Sequence, residues 1–341
     1  MKKALTILGI ESSCDETSAS ILVDGIVLSN FIAGQQIHES FGGVVPELAS
    51  RAHQQNILPV ISEAIKSSGI EMSQIDAIAY TRGPGLLGSL IVGSSFAKGM
   101  AMGLNIPLIE VNHMHGHILA HFIKEKEGIN KFPEFPFLCL TVSGGHTQIV
   151  LVKDYFDMQI IGQTIDDAAG EAFDKVAKIL GFPYPGGPLV DKFAKNGDAN
   201  KYKFPHPKVP GLDFSFSGLK TSFLNFVKNN LTVNPNFIIE NKESICASIQ
   251  KTIIDILLHK LNKASQETGI KNIAIAGGVS ANSGLRSALK HAEENLNWNV
   301  FIPKFEYCTD NAAMIAIVGY LKYLNQDFSH QNLEPQARYN F

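Results

Sequence analysis

An apolar run, a small polar turn and a second apolar run occur twice in this chain, at Ile7–Val23 and again at Phe137–Val152. Each stretch reads as strand, tight turn, strand. In each half a strand pattern followed by a helix pattern comes next. Ala77–Tyr80 leads to a helix near Ser89–Met102, and Asn272–Ala276 leads to one near Asn282–Glu293. A hairpin followed by alternating strands and helices must cover its sheet with those helices. Having the unit twice predicts an α/β protein of two duplicated lobes with a cleft between them. At 341 residues the chain is long enough for two cores. The boundary is set near residue 135, giving lobes 1–135 and 136–341.

Composition narrows the function. Hydrophobic residues make up 45% and charged residues 18%, ordinary for a soluble globular chain. A net charge of −3 excludes a broadly basic coat, so any nucleic-acid contact must come from a local patch. Cys14, Cys139, Cys246 and Cys308 are scattered with no CxxC, which reads as reduced thiols. Met1–Ile10 begins like a signal peptide but turns acidic at Glu11, and it reads as a buried first strand. The Gly-rich run Gly83–Gly103 is interrupted by Ser89, Ser94, Ser95 and Lys98, so no membrane span is expected. These features predict a cytoplasmic protein.

Helix patterns are clearest where the period is clean. Ile165, Ala168, Ala169, Ala172, Phe173, Val176, Ala177 and Leu180 form one stripe, with Asp166 and Asp167 suited to its N-terminus and Gly181 and Pro183 to its end. Lys251–Ala264 reads as a second helix. The Gly-, Pro-, Lys- and Phe-rich stretch of about 181–220 reads as an irregular insertion.

The chemistry concentrates at His113-Met114-His115-Gly116-His117, with His121 close behind: four of eleven histidines. The i,i+4 spacing puts the His113 and His117 imidazoles on one helix face, the geometry a divalent metal asks of two ligands. Asp310 opens a small-residue helix. By default it is an N-cap, and it is also the best candidate for a third ligand in a Zn or Fe(II) site. Asp15, in the first hairpin turn, fits either an Asx turn or a group that orients a nucleophile. The turn Ser143-Gly144-Gly145-His146-Thr147 lets backbone approach a phosphate, although Gly-Gly also suits a plain hairpin. Gly277-Gly278-Val279-Ser280-Ala281-Asn282 lies between strand and helix, a setting for a nucleotide or for a simple N-cap. Pro185–Asp191 is a rigid turn followed by a carboxylate. Lys192, Lys195, Lys201, Lys203, Lys208 and Lys220 interleave with Phe193, Tyr202, Phe204, Phe214 and Phe216. Such a set can hold phosphates and stack unpaired bases, or it can be a solvated loop with its aromatics turned inward. The chain contains no GxxxxGK[ST] and no HExxH; Met114 stands where a zinc protease needs its Glu.

Taken together, Gly9–Thr17, Val44–His53, Arg82–Leu90, His113–His117, Ser143–Thr147, Gly170–Lys175, Phe214–Lys220 and Gly277–Asn282 resemble the TsaD family of tRNA adenosine threonylcarbamoyltransferases, once called glycoproteases. The resemblance covers roughly residues 5 to 325 and is closer to the bacterial branch. It implies the actin/Hsp70/sugar-kinase (ASKHA) fold. It also implies transfer of threonylcarbamoyl from threonylcarbamoyl-AMP to N6 of the adenosine beside the anticodon in tRNAs reading codons that begin with adenine, with release of AMP. On the same basis His113, His117 and Asp310 match the metal ligands, for one divalent ion, Fe2+ with Zn2+ as the alternative. Thr141, Val142, Ser143, Gly144, Gly145, Asp174, Gly187, Asp191 and Asn282 match substrate-binding positions, and the partners implied are tRNA, a TsaB-like paralogue and a TsaE-like ATPase. His115 departs from the Glu common there. A metalloprotease, or an ATPase or kinase of the same fold, is the rival reading.

Overall fold

The computed structural model describes residues 4–127 and 130–339; Met1–Lys3, which began the expected first strand, and the two last residues, which closed the expected second lobe, lie outside them. The described residues divide into two compact units, one of 1–132 with 304–341 and one of 133–303.

The first unit is built on a five-stranded sheet in the order β3-β2-β1-β4-β5, from β1 (Thr6–Glu11), β2 (Thr17–Val23), β3 (Ile26–Ala33), β4 (Ala77–Gly83) and β5 (Leu108–Asn112). The β1–β2 and β2–β3 pairs are antiparallel; β1–β4 and β4–β5 are parallel. All six residues of β1 are buried, because helices cover both faces of the sheet. Side chains alternate across it. Leu8 and Ile10 pack with Ile57, Ile61 and Ala64 of α1 (Pro46–Ser68) and Ala97 and Ala101 of α2 (Leu87–Leu104). Each fully buried Leu or Ile side chain among these contributes about 1.5–3 kcal/mol. The other face receives α9 (Ala312–Leu324), whose residues from Ala312 to Gly319 are all buried. A Cβ at Gly9 would lie 2.4 Å from Ala312 O, and one at Gly319 would lie 2.4 Å from Ala79 Cβ. These two glycines let α9 sit directly on the strands. That packing overturns the expected division at 135: the chain's last segment returns to complete the first unit.

The second unit repeats the sheet. Its order β8-β7-β6-β9-β10 comes from β6 (Phe137–Val142), β7 (Thr147–Asp154), β8 (Asp157–Gln163), β9 (Asn272–Ala276) and β10 (Asn299–Phe301). Two antiparallel pairs again adjoin two parallel ones. The duplicated topology is that of the ASKHA fold which the family resemblance implies, and the duplication itself is what the repeated hairpin predicts.

Helices in this unit differ from their sequence patterns. The helix expected from Ile165 starts later, as α4 (Ala169–Ile179). Asp166 does not cap it. Its carboxylate instead accepts from Phe216 N (2.8 Å) and from the Ser217 hydroxyl (2.8 Å), fixing the start of α6 (Ser217–Val233). The stretch read as irregular holds α5 (Gly187–Ala194), and its Phe204, Phe214 and Phe216 are core residues. The helix expected over Lys251–Ala264 extends to α7 (Phe237–Thr268), ended by Gly269 at φ 74°. In the first unit, α2 is the one described helix long and apolar enough to cross a membrane, which the interrupted sequence did not suggest. Its Ser89, Leu90, Gly93, Ser94, Ala97 and Ala101 form one face buried in the unit.

Candidate metal centre

Strand β5 ends at Asn112, whose side chain accepts from Met114 N (2.8 Å) and starts the short helix α3 (His113–Leu119). His113 and His117 therefore stand one turn apart, both buried, with ring centroids 4.7 Å apart. On α9 the capping role falls to Asn311, which accepts from Met314 N (3.0 Å). The default reading of Asp310 as the N-cap is thus corrected, and its carboxylate is left for the histidines. Asp310 Oδ1 lies 3.1 Å from His117 Nε2 and 3.4 Å from His113 Nε2. The three potential donor atoms fall within 4.8 Å of one another. Gly116 makes the approach of α3 to α9 possible, since a Cβ there would be 3.1 Å from Ile315 Cδ1.

The residue that sequence reasoning did not assign is Glu11. It is fully buried at the end of β1 and accepts from Ser13 N (2.5 Å) and Thr81 Oγ1 (2.7 Å). Its Oε2 lies 3.0 Å from His113 Nδ1, with Ser13 Oγ 3.2 Å from the same nitrogen. A carboxylate behind the distal ring nitrogen fixes the tautomer that leaves Nε2 free to ligate. The signal was present in sequence: a Glu closing an apolar strand, where burial needs a partner. Two imidazole nitrogens and a carboxylate oxygen facing one point, one imidazole braced from behind, fit a divalent transition metal.

Electrostatics agree. Burial would raise the Asp310 carboxyl, but His113 and then His117 hold it far below the usual carboxylate range. Burial opposes a proton on His113, yet Asp310 and then Glu11 push that imidazole well above its ordinary value. Burial first, then Asp310 and Asp15, push the neighbouring Glu16 carboxyl up. Asp15 itself is half-buried in the β1–β2 turn. His115 stays neutral, pushed down to about 4 by burial and by Lys322 against the pull of Glu110, and it is not part of the ligand group.

The remaining expected residues lie in the second unit. Thr141 and Val142 are buried at the carboxyl end of β6, and Ser143, Gly144 and Gly145 form the turn that follows. Ser143 N donates to His146 O (2.8 Å), while Ser143 Oγ accepts from Gly145 N (3.3 Å) and His146 N (3.0 Å). Those three amides donate within the turn. A Cβ at Gly277 would be 2.5 Å from Val142 O, so the two Gly-rich turns lie side by side at the carboxyl ends of parallel strands β6 and β9. That is where open α/β sheets bind ligands. Asp174 accepts from Gly186 N (2.9 Å) and Gly187 N (3.0 Å). Asp191 accepts from the Ser283 hydroxyl (2.8 Å) and amide (3.1 Å), and Asn282 caps α8 (Ser283–Leu296). Lys192, Lys195, Lys201, Lys203, Lys208 and Lys220 are all exposed, but the buried Phe204, Phe214 and Phe216 face the core, not a stacked base.

Comparison with known proteins adds the following. The family model described as "TsaD: tRNA N6-adenosine threonylcarbamoyltransferase" matches residues 26–317. A tRNA N6-adenosine threonylcarbamoyltransferase of Christiangramia forsetii is 62% identical, over 99% of this chain and 98% of that one. The enzyme of the same description from Porphyromonas gingivalis is 59% identical over 99% of both. Among solved structures, full-length HypF superposes with a TM-score of 0.61 at 14% identity, over 96% of this chain. This chain spans about half the length of that protein, covering 48% of it, and the likeness is one of fold.

Proposed function

The chain belongs to the TsaD family, the tRNA N6-adenosine threonylcarbamoyltransferases, and from that premise we propose how its residues divide the work. It is an acyl-type transferase that places a threonylcarbamoyl group on N6 of a tRNA adenosine. The donor is threonylcarbamoyl-AMP and the acceptor is the adenosine beside the anticodon, position 37. A C–N bond forms between N6 and the carbamoyl carbon, the bond from that carbon to the AMP phosphate oxygen breaks, and N6 gives up a proton.

The convergence of His113, His117 and Asp310 within 4.8 Å carries this reading. These three would hold one divalent ion, Fe2+ or Zn2+. Such an ion, when bound, acts as a Lewis acid toward carbonyl or phosphate oxygen. Glu11 would keep the His113 imidazole oriented. The adenine amine is a poor nucleophile, so placing it matters more than base strength. Asp15 is assigned to orient that amine. In the second unit, the turns at Thr141–Gly145 and Gly277–Asn282 would seat the nucleotide end of the donor, with Asp174, Gly187 and Asp191 shaping the surround. The exposed lysines from Lys192 to Lys220 would meet tRNA phosphates. The partners are a TsaB-like paralogue and a TsaE-like ATPase, and the compartment is the cytoplasm. The protease reading loses further ground because Glu11, the carboxylate beside the imidazoles, is tied to His113, Thr81 and Ser13.

The test is mass spectrometry of tRNA incubated with the metal-loaded chain and threonylcarbamoyl-AMP. The expected product carries the added threonylcarbamoyl mass on one adenosine, and His117→Ala forms it about a thousandfold more slowly. Asp15→Ala should slow single-turnover transfer; an unchanged rate removes Asp15 from its role.

A further inference from the structure

The segment after α9 is anchored at both ends. Ser329 N donates to Leu108 O (2.8 Å), and Ser329 Oγ accepts from Glu110 N (2.7 Å). Farther on, Gln336 N donates to Arg82 O (2.8 Å) and Gly85 N donates to Ala337 O (3.2 Å). The Tyr339 hydroxyl donates to Glu110 Oε2 (2.7 Å). The Arg82 guanidinium lies 3.3 Å from the same carboxylate and 4.9 Å above the Tyr339 ring. The segment thus runs from the first half of β5 to the end of β4, beyond residue 317, where the family match stops.

Two routes lead from this strap to the ligand His113. One is β5 itself. Glu110 is gripped by backbone and by side chain three residues before His113, on the strand whose last residue caps α3. The other is the turn after β4. Leu86 N donates to Ser13 O (2.7 Å), and a Cβ at Gly85 would come within 2.5 Å of that oxygen. Ser13 Oγ in turn lies 3.2 Å from His113 Nδ1.

We propose that residues 329–339 form a positioning strap for the metal centre, with Tyr339 and Glu110 as positioning residues that hold His113 where it can ligate. The proposal rests on the reading that His113, His117 and Asp310 bind a divalent ion. Glu110 is half-buried and shared among Tyr339, Arg82 and Lys322. Partners in such a network support one another more than isolated surface pairs do. Strand β5 is also held by its parallel pairing with β4, which the strap does not supply. Loosening the strap therefore acts on site geometry before it acts on the fold.

The experiment uses the full chain, with Co2+ as probe. Co2+ affinity is measured by competition with a chromophoric chelator, alongside the Co2+ ligand-field absorption and the Tm of the metal-free protein. Tyr339→Phe and Glu110→Gln are expected to weaken Co2+ binding about tenfold, the lower end of what losing outer support costs a metal site, and to alter the absorption bands. Phe328→Ala, which removes a ring packed against Tyr323, should move only Tm. Unchanged affinity and bands in both strap variants overturn the proposal. Co2+ binding that survives His113→Ala overturns the underlying metal assignment instead. Tyr339→Phe keeps its ring over Arg82 and loses one hydroxyl, so it carries the test if Glu110→Gln does not fold.

Discussion

The β1–β2 turn of the first unit and the β6–β7 turn of the second occupy the same place in two copies of one sheet, yet they differ in the charge they carry. The first buries Glu11 and sets it against a histidine ligand. The second has no carboxylate; Ser143, Gly144 and Gly145 close on themselves through the Ser143 hydroxyl and leave open space above both glycines. Identical strand pairing fixes only where a turn sits. On the proposed reading, the buried acid behind His113 suits the first to organise a metal, and the absence of side chains at Gly144 and Gly145 suits the second to a close backbone approach by a ligand.

This contrast breaks most sharply at His117. His117→Ala should remove the bound ion and slow transfer about a thousandfold, several kcal/mol of barrier, with little effect on donor affinity. Metal analysis and single-turnover rates check both halves. Next comes Glu11→Gln, which leaves the ligands in place but exchanges the charge behind His113. Metal affinity should fall about ten- to a hundredfold, measured by chelator competition, while donor binding to the second unit stays as it was. Ser143→Ala probes the other turn. With its acceptor gone, the turn loosens and donor KM should rise about tenfold, one to two hydrogen bonds' worth, with metal content unchanged. Equal loss of metal in the Ser143 variant would erase the distinction between the turns.

The smallest effect lies outside both turns. Burial opposes the Asp166 charge, but Ser215, Phe216 and Ser217 hold its carboxyl below the usual range. A carboxyl depressed in the folded state stabilises above its unfolded value, about 3.9, and that contribution is lost as pH falls through the folded value. Asp166→Asn should therefore destabilise by about 1 kcal/mol near neutrality, at the modest end of an N-cap because the group is exposed. The gap should close progressively below about pH 4, as followed by urea denaturation at several pH values.

Much of this was legible in the residues. The repeated hairpin disclosed both sheets because continuous apolar runs on either side of a small polar turn survive in sequence, and the i,i+4 histidines disclosed two members of the His113, His117 and Asp310 cluster. Three things were hidden. The lodging of α9 in the first unit depends on Gly9 of β1 meeting Ala312 and on Gly319 of α9 meeting Ala79 of β4, and local pattern carries no such long-range pairing. Asp166 read as the cap of the helix just after it, whereas its partners lie some fifty residues on. Glu11 passed as a polar residue ending a strand, since only the fold brings His113 and Thr81 to it.

The central claim is that one divalent ion is held by His113, His117 and Asp310. X-ray absorption spectroscopy of the metal-loaded chain tests it most directly. The account requires one ion per chain with two imidazole nitrogens and carboxylate oxygen in its first sphere. A sphere containing cysteine sulfur, or one unchanged in His113→Ala and His117→Ala, would contradict it.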